Sequence, residues 1–115
     1  MEEIKSIAIE FAMEFIKEKN LIEKDPLLAL AAASVYTDGF EYGYTFEGTI
    51  EEAKFGAAAD KYINERDSTT QEQNPILYLV LLTAYAAGAY KGINERDKIQ
   101  FKYNQDGNIT GLTNV

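Results

Sequence analysis

Apolar and polar positions along the chain change rhythm four times, and each change marks an element. In residues 2–19, Ile4, Ile7, Ala8, Phe11 and Phe15 recur at helical spacing, with Ile9, Met13 and Ile16 widening the stripe. This pattern predicts an amphipathic first helix. Glu2 and Glu3 suit its positive end, Lys17 and Lys19 its negative end, and Asn20 a stop. A second helix starts at Asp25-Pro26, because Asp accepts a backbone N–H at a cap and proline at the first helical position sacrifices no hydrogen bond. Leu27, Leu28, Leu30, Ala31 and Val35 fill it, and it ends between Gly39 and Gly43. Aromatic residues at 40, 42, 44 and 46 leave a short strand over 41–46 as the alternative.

Thr49-Ile-Glu-Glu52 is a capping box, so a third helix is predicted from Thr49 to about Arg66. A polar loop, 67–73, follows. The fourth helix, Asn74 to Gly92, carries no charge from Ile76 to Tyr90. A helix apolar on every side is buried. This run spans only ~22 Å, whereas a membrane crossing needs ~20 apolar residues, so it reads as the centre of a soluble core or subunit interface. Residues 98–115 alternate at Ile99, Phe101 and Tyr103 and contain Asp106-Gly107. They predict a β-hairpin or an extended tail.

The second and fourth helices repeat each other. DPLLALAAASVYTDGFEYG from Asp25 and NPILYLVLLTAYAAGAYKG from Asn74 align without a gap at an offset of 49. Cap, proline and the pairs Leu28/Leu77, Leu30/Leu79, Ser34/Thr83, Tyr36/Tyr85, Gly39/Gly88 and Gly43/Gly92 coincide. The expected fold is therefore mainly α, a single domain over 1–115. It is a four-helix bundle of two hairpins, 1–45 and 49–94, related by a pseudo-twofold axis, with 98–115 appended. Tyr36, Gly39 and Gly43 share one helix face, as do Tyr85, Gly88 and Gly92. Such faces serve close helix packing, or a glycine-floored, tyrosine-walled notch for a ligand or partner side chain. A second echo, Ile63–Asp67 and Ile93–Asp97, reads as two helix exits.

Composition narrows the chemistry. Among 115 residues there is no cysteine and no histidine, which removes disulfides, thiolate sites, and the commonest general base and transition-metal ligand. No phosphate loop, nucleophile elbow or complete calcium loop occurs. No cofactor, metal or enzymatic activity is expected. Residues 1–67 hold fifteen acidic and seven basic side chains, and 68–115 hold four of each, so the net charge of −8 belongs to the first part. That opposes direct binding to nucleic acid or an anionic membrane. Glu10, Glu14 and Glu18 form an acidic stripe, read as a solvated face or a candidate acidic surface. With no basic and apolar leader at the N-terminus, a cytoplasmic setting is expected. Eight tyrosines and the charge-free fourth helix favour a small binding protein that occupies a protein partner, as a homodimer. The alternatives are an acidic imitation of nucleic acid that blocks a nucleic-acid-binding protein, and a small-ligand binder using the notches.

Overall fold

The computed structural model describes residues 2–103, with side chains from 3 to 98. It is mainly helical and compact, with no strand among the described residues. The elements are α1 (Glu2–Glu18), α2 (Leu21–Lys24), α3 (Pro26–Thr45), α4 (Phe55–Arg66), α5 (Thr70–Gln73) and α6 (Pro75–Tyr103). The single-turn helices α2 and α5 are corners, and α1, α3, α4 and α6 form the bundle.

Local sequence sets both main helix starts. The Asp25 side chain accepts from the Leu28 N–H at 3.1 Å, and the Asn74 side chain from the Leu77 N–H at 3.2 Å. Asn20 takes the left-handed conformation (φ 57°) that ends α1 and opens α2. On α1 the buried face is Ala8, Ala12 and Ile16, flanked by half-buried Ile4, Phe11 and Phe15. Ile7 is 37% exposed, one strip away from the expected face. Small residues at 8 and 12 let α1 lie close to its neighbour, and the two phenylalanines wrap around it.

α3 and α6 are the paired core. Their contacts rise together along both chains, Gly39 meeting Tyr85 and Gly43 meeting Ala89, so the two helices are parallel. α1 packs antiparallel on α3, with Phe11 against Phe40 at 5.7 Å and Phe15 against Tyr36 at 5.0 Å between ring centres. α4 packs antiparallel on α6, through Tyr62 against Tyr85 at 4.5 Å and Phe55 edge-on to Tyr90 at 6.5 Å. Phe40 and Ile93 are the largest fully buried side chains.

Four expectations are corrected. α3 runs through Gly39 and Gly43 to Thr45, with Phe46 as its C-cap, so the helix ends later than expected and 41–46 is its last turn, not a strand. The Thr49–Glu52 box does form, with the Thr49 N–H donating to Glu52 at 3.0 Å and the Glu52 N–H to the Thr49 hydroxyl at 3.3 Å. It closes one isolated turn, and α4 starts six residues later at Phe55, where Ala59 and Ile63 can be buried. α6 passes Gly92 and continues to Tyr103, so the alternating residues 98–103 are helical and not a strand. Lys91–Glu95 and Glu95–Lys98 pairs at helical spacing support that continuation. The rest of the expected hairpin, 104–115, lies outside the described residues. Finally, Ile63–Asp67 is a helix exit, capped at Asp67, but Ile93–Asp97 lies inside α6, where Arg96 donates to the Phe46 carbonyl at 2.6 Å.

Candidate functional site

The six residues singled out by the repeat meet at one place, the crossing of α3 and α6. A Cβ at Gly39 would overlap the carbonyl oxygen of Tyr85, and one at Gly88 would overlap that of Tyr36. A Cβ at Gly43 would overlap the Ala89 carbonyl, and one at Gly92 that of Phe40. Each glycine face is thus filled by the opposite backbone. The contact brings Cα–H groups to carbonyl oxygens, a weak attraction that recurs where helices pack closely. No room remains at these glycines for a ligand, so the notch reading of Tyr36, Gly39, Gly43, Tyr85, Gly88 and Gly92 gives way to a packing seam.

The two tyrosines of the seam have different surroundings. On the α4 side, Tyr62 lies over Tyr85 and donates its hydroxyl to the Asp38 carboxylate on α3. The Arg66 guanidinium stacks 3.5 Å above the Tyr62 ring and sits 3.9 Å from Asp38. Burial, then the Asp38 hydrogen bond, pushes the Tyr62 hydroxyl well above the ordinary tyrosine range. Burial, then neighbouring Tyr42 and Asp38, pushes Tyr85 up to about 12 against the opposing Arg66.

On the α1 side the corresponding place is open. A recess of about 220 Å³ is lined by Phe11, Glu14, Phe15 and Glu18 of α1, Tyr36 of α3, and Ala87 and Lys91 of α6. Tyr36 is only 5% exposed and borders the recess. Burial first, then Glu14, Glu18 and Glu95, pushes Tyr36 up to about 12, keeping it protonated. Lys91 holds its ammonium 4.4 Å above the Phe11 ring centre and 3.6 Å from Glu95. Phe15 also borders an apolar cleft of about 360 Å³, with Lys19, Leu21, Leu79, Val80 and Thr83 around it.

Glu10, Glu14 and Glu18 are exposed. Only Glu14 and Glu18 line the recess, and Glu10 lies outside. No group of three metal-ligating side chains comes together among the described residues. Asp38, Tyr62, Arg66 and Lys91 were not singled out from the sequence. A signal for two of them exists. Phe15-Ile-Lys-Glu-Lys-Asn20 matches Tyr62-Ile-Asn-Glu-Arg-Asp67 at an offset of 47, two short of the register used for the longer helices. Comparison with protein-family models, curated proteins and solved structures finds no match for this chain.

Proposed function

We propose that the protein is a small acidic helical binding protein that acts by occupying a protein partner, and that it self-associates as a homodimer. The observation that carries this is exposed apolar surface on both core helices. Leu27 and Leu30 on α3 are 79% and 69% exposed, and Ile76 and Leu79 on α6 are 74% and 56% exposed. Scattered single apolar residues are normal on a surface. Here two pairs of large ones, Leu27/Leu30 and Ile76/Leu79, each occupy the first turn and a half of a core helix, on the face turned away from the α3–α6 seam. Each exposed pair supports a contact with a second chain.

The chain is also read here as two hairpins related by a pseudo-twofold axis along α3 and α6. What supports this is that the seam contacts exchange under the 49-residue offset: Gly39 with Tyr85 becomes Gly88 with Tyr36, and Gly43 with Ala89 becomes Gly92 with Phe40. The caps Asp25 and Asn74, and the corners α2 and α5, exchange in the same way.

By length and composition, Pro75–Lys98 of α6 could cross a membrane. The water-exposed reading is favoured by topology. Parallel α3 and α6 require α4 to carry the chain back alongside them, and α4 bears Asp60, Lys61, Glu65 and Arg66. Charges at such depth cost several kcal/mol each, roughly 2.5–3.5 on insertion scales.

Light scattering at about 100 µM tests self-association. The wild-type protein should show twice the 12.9 kDa chain mass, and the Leu27→Lys/Ile76→Lys variant should show a single chain with unchanged helical circular dichroism. A strictly monomeric wild type would overturn the dimer. For an unlike partner, capture by wild type but not by that variant is the expected result.

The acidic-imitation reading is favoured by one observation, the exposed row of Glu10, Glu14 and Glu18. Three charges make a row far shorter than a nucleic-acid strand, which ranks this reading second.

A further inference from the structure

We infer that two copies of this chain pair through the outer face of α6, crossing antiparallel with Thr83 on the twofold axis. This rests on the homodimer reading above and adds the face, the direction and the register.

The row that makes the contact is Ile76, Leu79, Thr83, Ala86 and Tyr90. These residues follow one another at steps of three and four, the spacing of the seam in a coiled coil. Ile76, Leu79 and Tyr90 are 74%, 56% and 55% exposed, Thr83 is exposed and Ala86 is half-buried. α1 and α4 flank the row without covering it. Phe15 shares an apolar cleft with Leu79 and Thr83, and Phe55 meets the Tyr90 ring edge-on. The row runs ~21 Å. A contact confined to that length of one helix per chain sits at the small end of the interface scale, so the dimer exchanges with monomer as concentration changes.

Three observations select a second copy as the occupant. The first is charge. The chain carries −8, so two copies repel where their acidic surfaces meet. A twofold contact sets each group on its axis beside its own duplicate. No charge occurs from Ile76 to Tyr90, so this face meets itself without that penalty. The second is a comparison within the molecule. The offset of 49 carries the row onto Leu27, Leu30, Ser34, Thr37 and Glu41 of α3. There Thr37 is only 7% exposed and donates its hydroxyl to the Ala33 carbonyl, and Glu41 takes the place of Tyr90. The α3 row is interrupted by burial and ends on a charge, whereas the α6 row stays open and uncharged throughout. The third is the order of sizes. About an axis at Thr83, Leu79 of one copy faces Ala86 of the other, large against small, and Ile76 lies along the Tyr90 ring. A parallel pair would set Ala86 against Ala86 and leave a gap. It would also set exposed Asp97, two turns beyond Tyr90, against its own copy.

The chain has no cysteine, so an introduced thiol has no competitor. A disulfide needs Cα atoms within ~7 Å. Under mild oxidation of the full chain, Thr83→Cys should give a covalent dimer. Leu79→Cys, Ala86→Cys and Ser34→Cys should each link to themselves at least tenfold more slowly. An equimolar mixture of Ile76→Cys and Tyr90→Cys chains should give the mixed dimer. In light scattering, Leu79→Glu should raise the dimer dissociation constant at least tenfold and Leu30→Glu should leave it within twofold, both with unchanged circular dichroism. Fast self-linking at 79, 83 and 86 alike would mean a parallel pair and overturn the register. A dimer that Ser34→Cys links and Thr83→Cys does not would move the contact to α3, removing this inference and leaving the homodimer. A monomeric wild type removes both. Pro75–Lys98 is long and apolar enough to enter a bilayer. A monomer that binds phosphatidylcholine vesicles, with binding lost in Leu79→Glu, would therefore give the row to a lipid surface and overturn the second copy.

Discussion

A methyl group at position 39 would have to displace the backbone carbonyl of Tyr85, and one at 88 that of Tyr36. Neither obstacle is the movable end of a side chain, so α3 and α6 must separate. Forced overpacking of this kind costs about 1–3 kcal/mol. Alanine's better helix propensity returns only about 0.5–1 kcal/mol. The clash therefore wins, and Gly39→Ala and Gly88→Ala should each lower the thermal midpoint, by roughly 4–8 °C per kcal/mol of net loss for a domain near 100 residues. Gly56 is the control. It lies in α4 with nothing within 4 Å of the place an added methyl carbon would take, so Gly56→Ala should raise the midpoint slightly. Circular dichroism melts of the three variants check both signs. The spacing of the glycines and tyrosines was legible in the chain. What each glycine touches was not, since the same spacing serves an empty notch and a filled seam.

At the scale of elements, local chemistry set beginnings better than ends. Asp25 and Asn74 cap their helices as their sequences indicate. Asp25→Ala and Asn74→Ala should each cost about 0.5–2 kcal/mol. The caps share no partner, so the double variant should show close to the sum, read from urea unfolding midpoints. Thr49 shows the limit of such signals. Its box forms, but the helix waits for Phe55, which meets Tyr42 and Tyr90 edge-on. Gly92 failed as a stop for a related reason. It is held in the helix where it abuts Phe40, and one turn later Arg96 ties α6 to the loop after α3. Glycine ends a helix when its backbone is free to turn, and here the neighbouring helix removes that freedom.

For the whole molecule, the buried tyrosines predict how the fold responds to alkali. Tyr36 and Tyr85 are held up at about 12 and Tyr62 is raised further in the same direction, against about 10 in an unfolded chain. Between pH 10 and 12 the folded protein therefore binds more protons than the unfolded one, and stability falls as pH rises. Below pH 10 the contribution is intact. Urea midpoints measured from pH 8 to 12 should drop across this window, and Tyr36→Phe should drop less. An equal drop in the variant would show that Tyr36 titrates freely.

The chain by itself determined a helical fold, two capped core helices, the doubled Tyr-x-x-Gly-x-x-x-Gly face and an acidic first part. These are properties of residues within a turn or two of one another, and local hydrogen bonding and periodicity encode them. Tertiary structure decided that the two faces close on each other in parallel. It also decided where α3, α4 and α6 start or stop, and that one side of the seam is sealed by Tyr62 and Asp38 while the other stays open beside Glu14 and Glu18. Those outcomes depend on which side chains from distant segments compete for the same space, and spacing along a single chain does not carry that information.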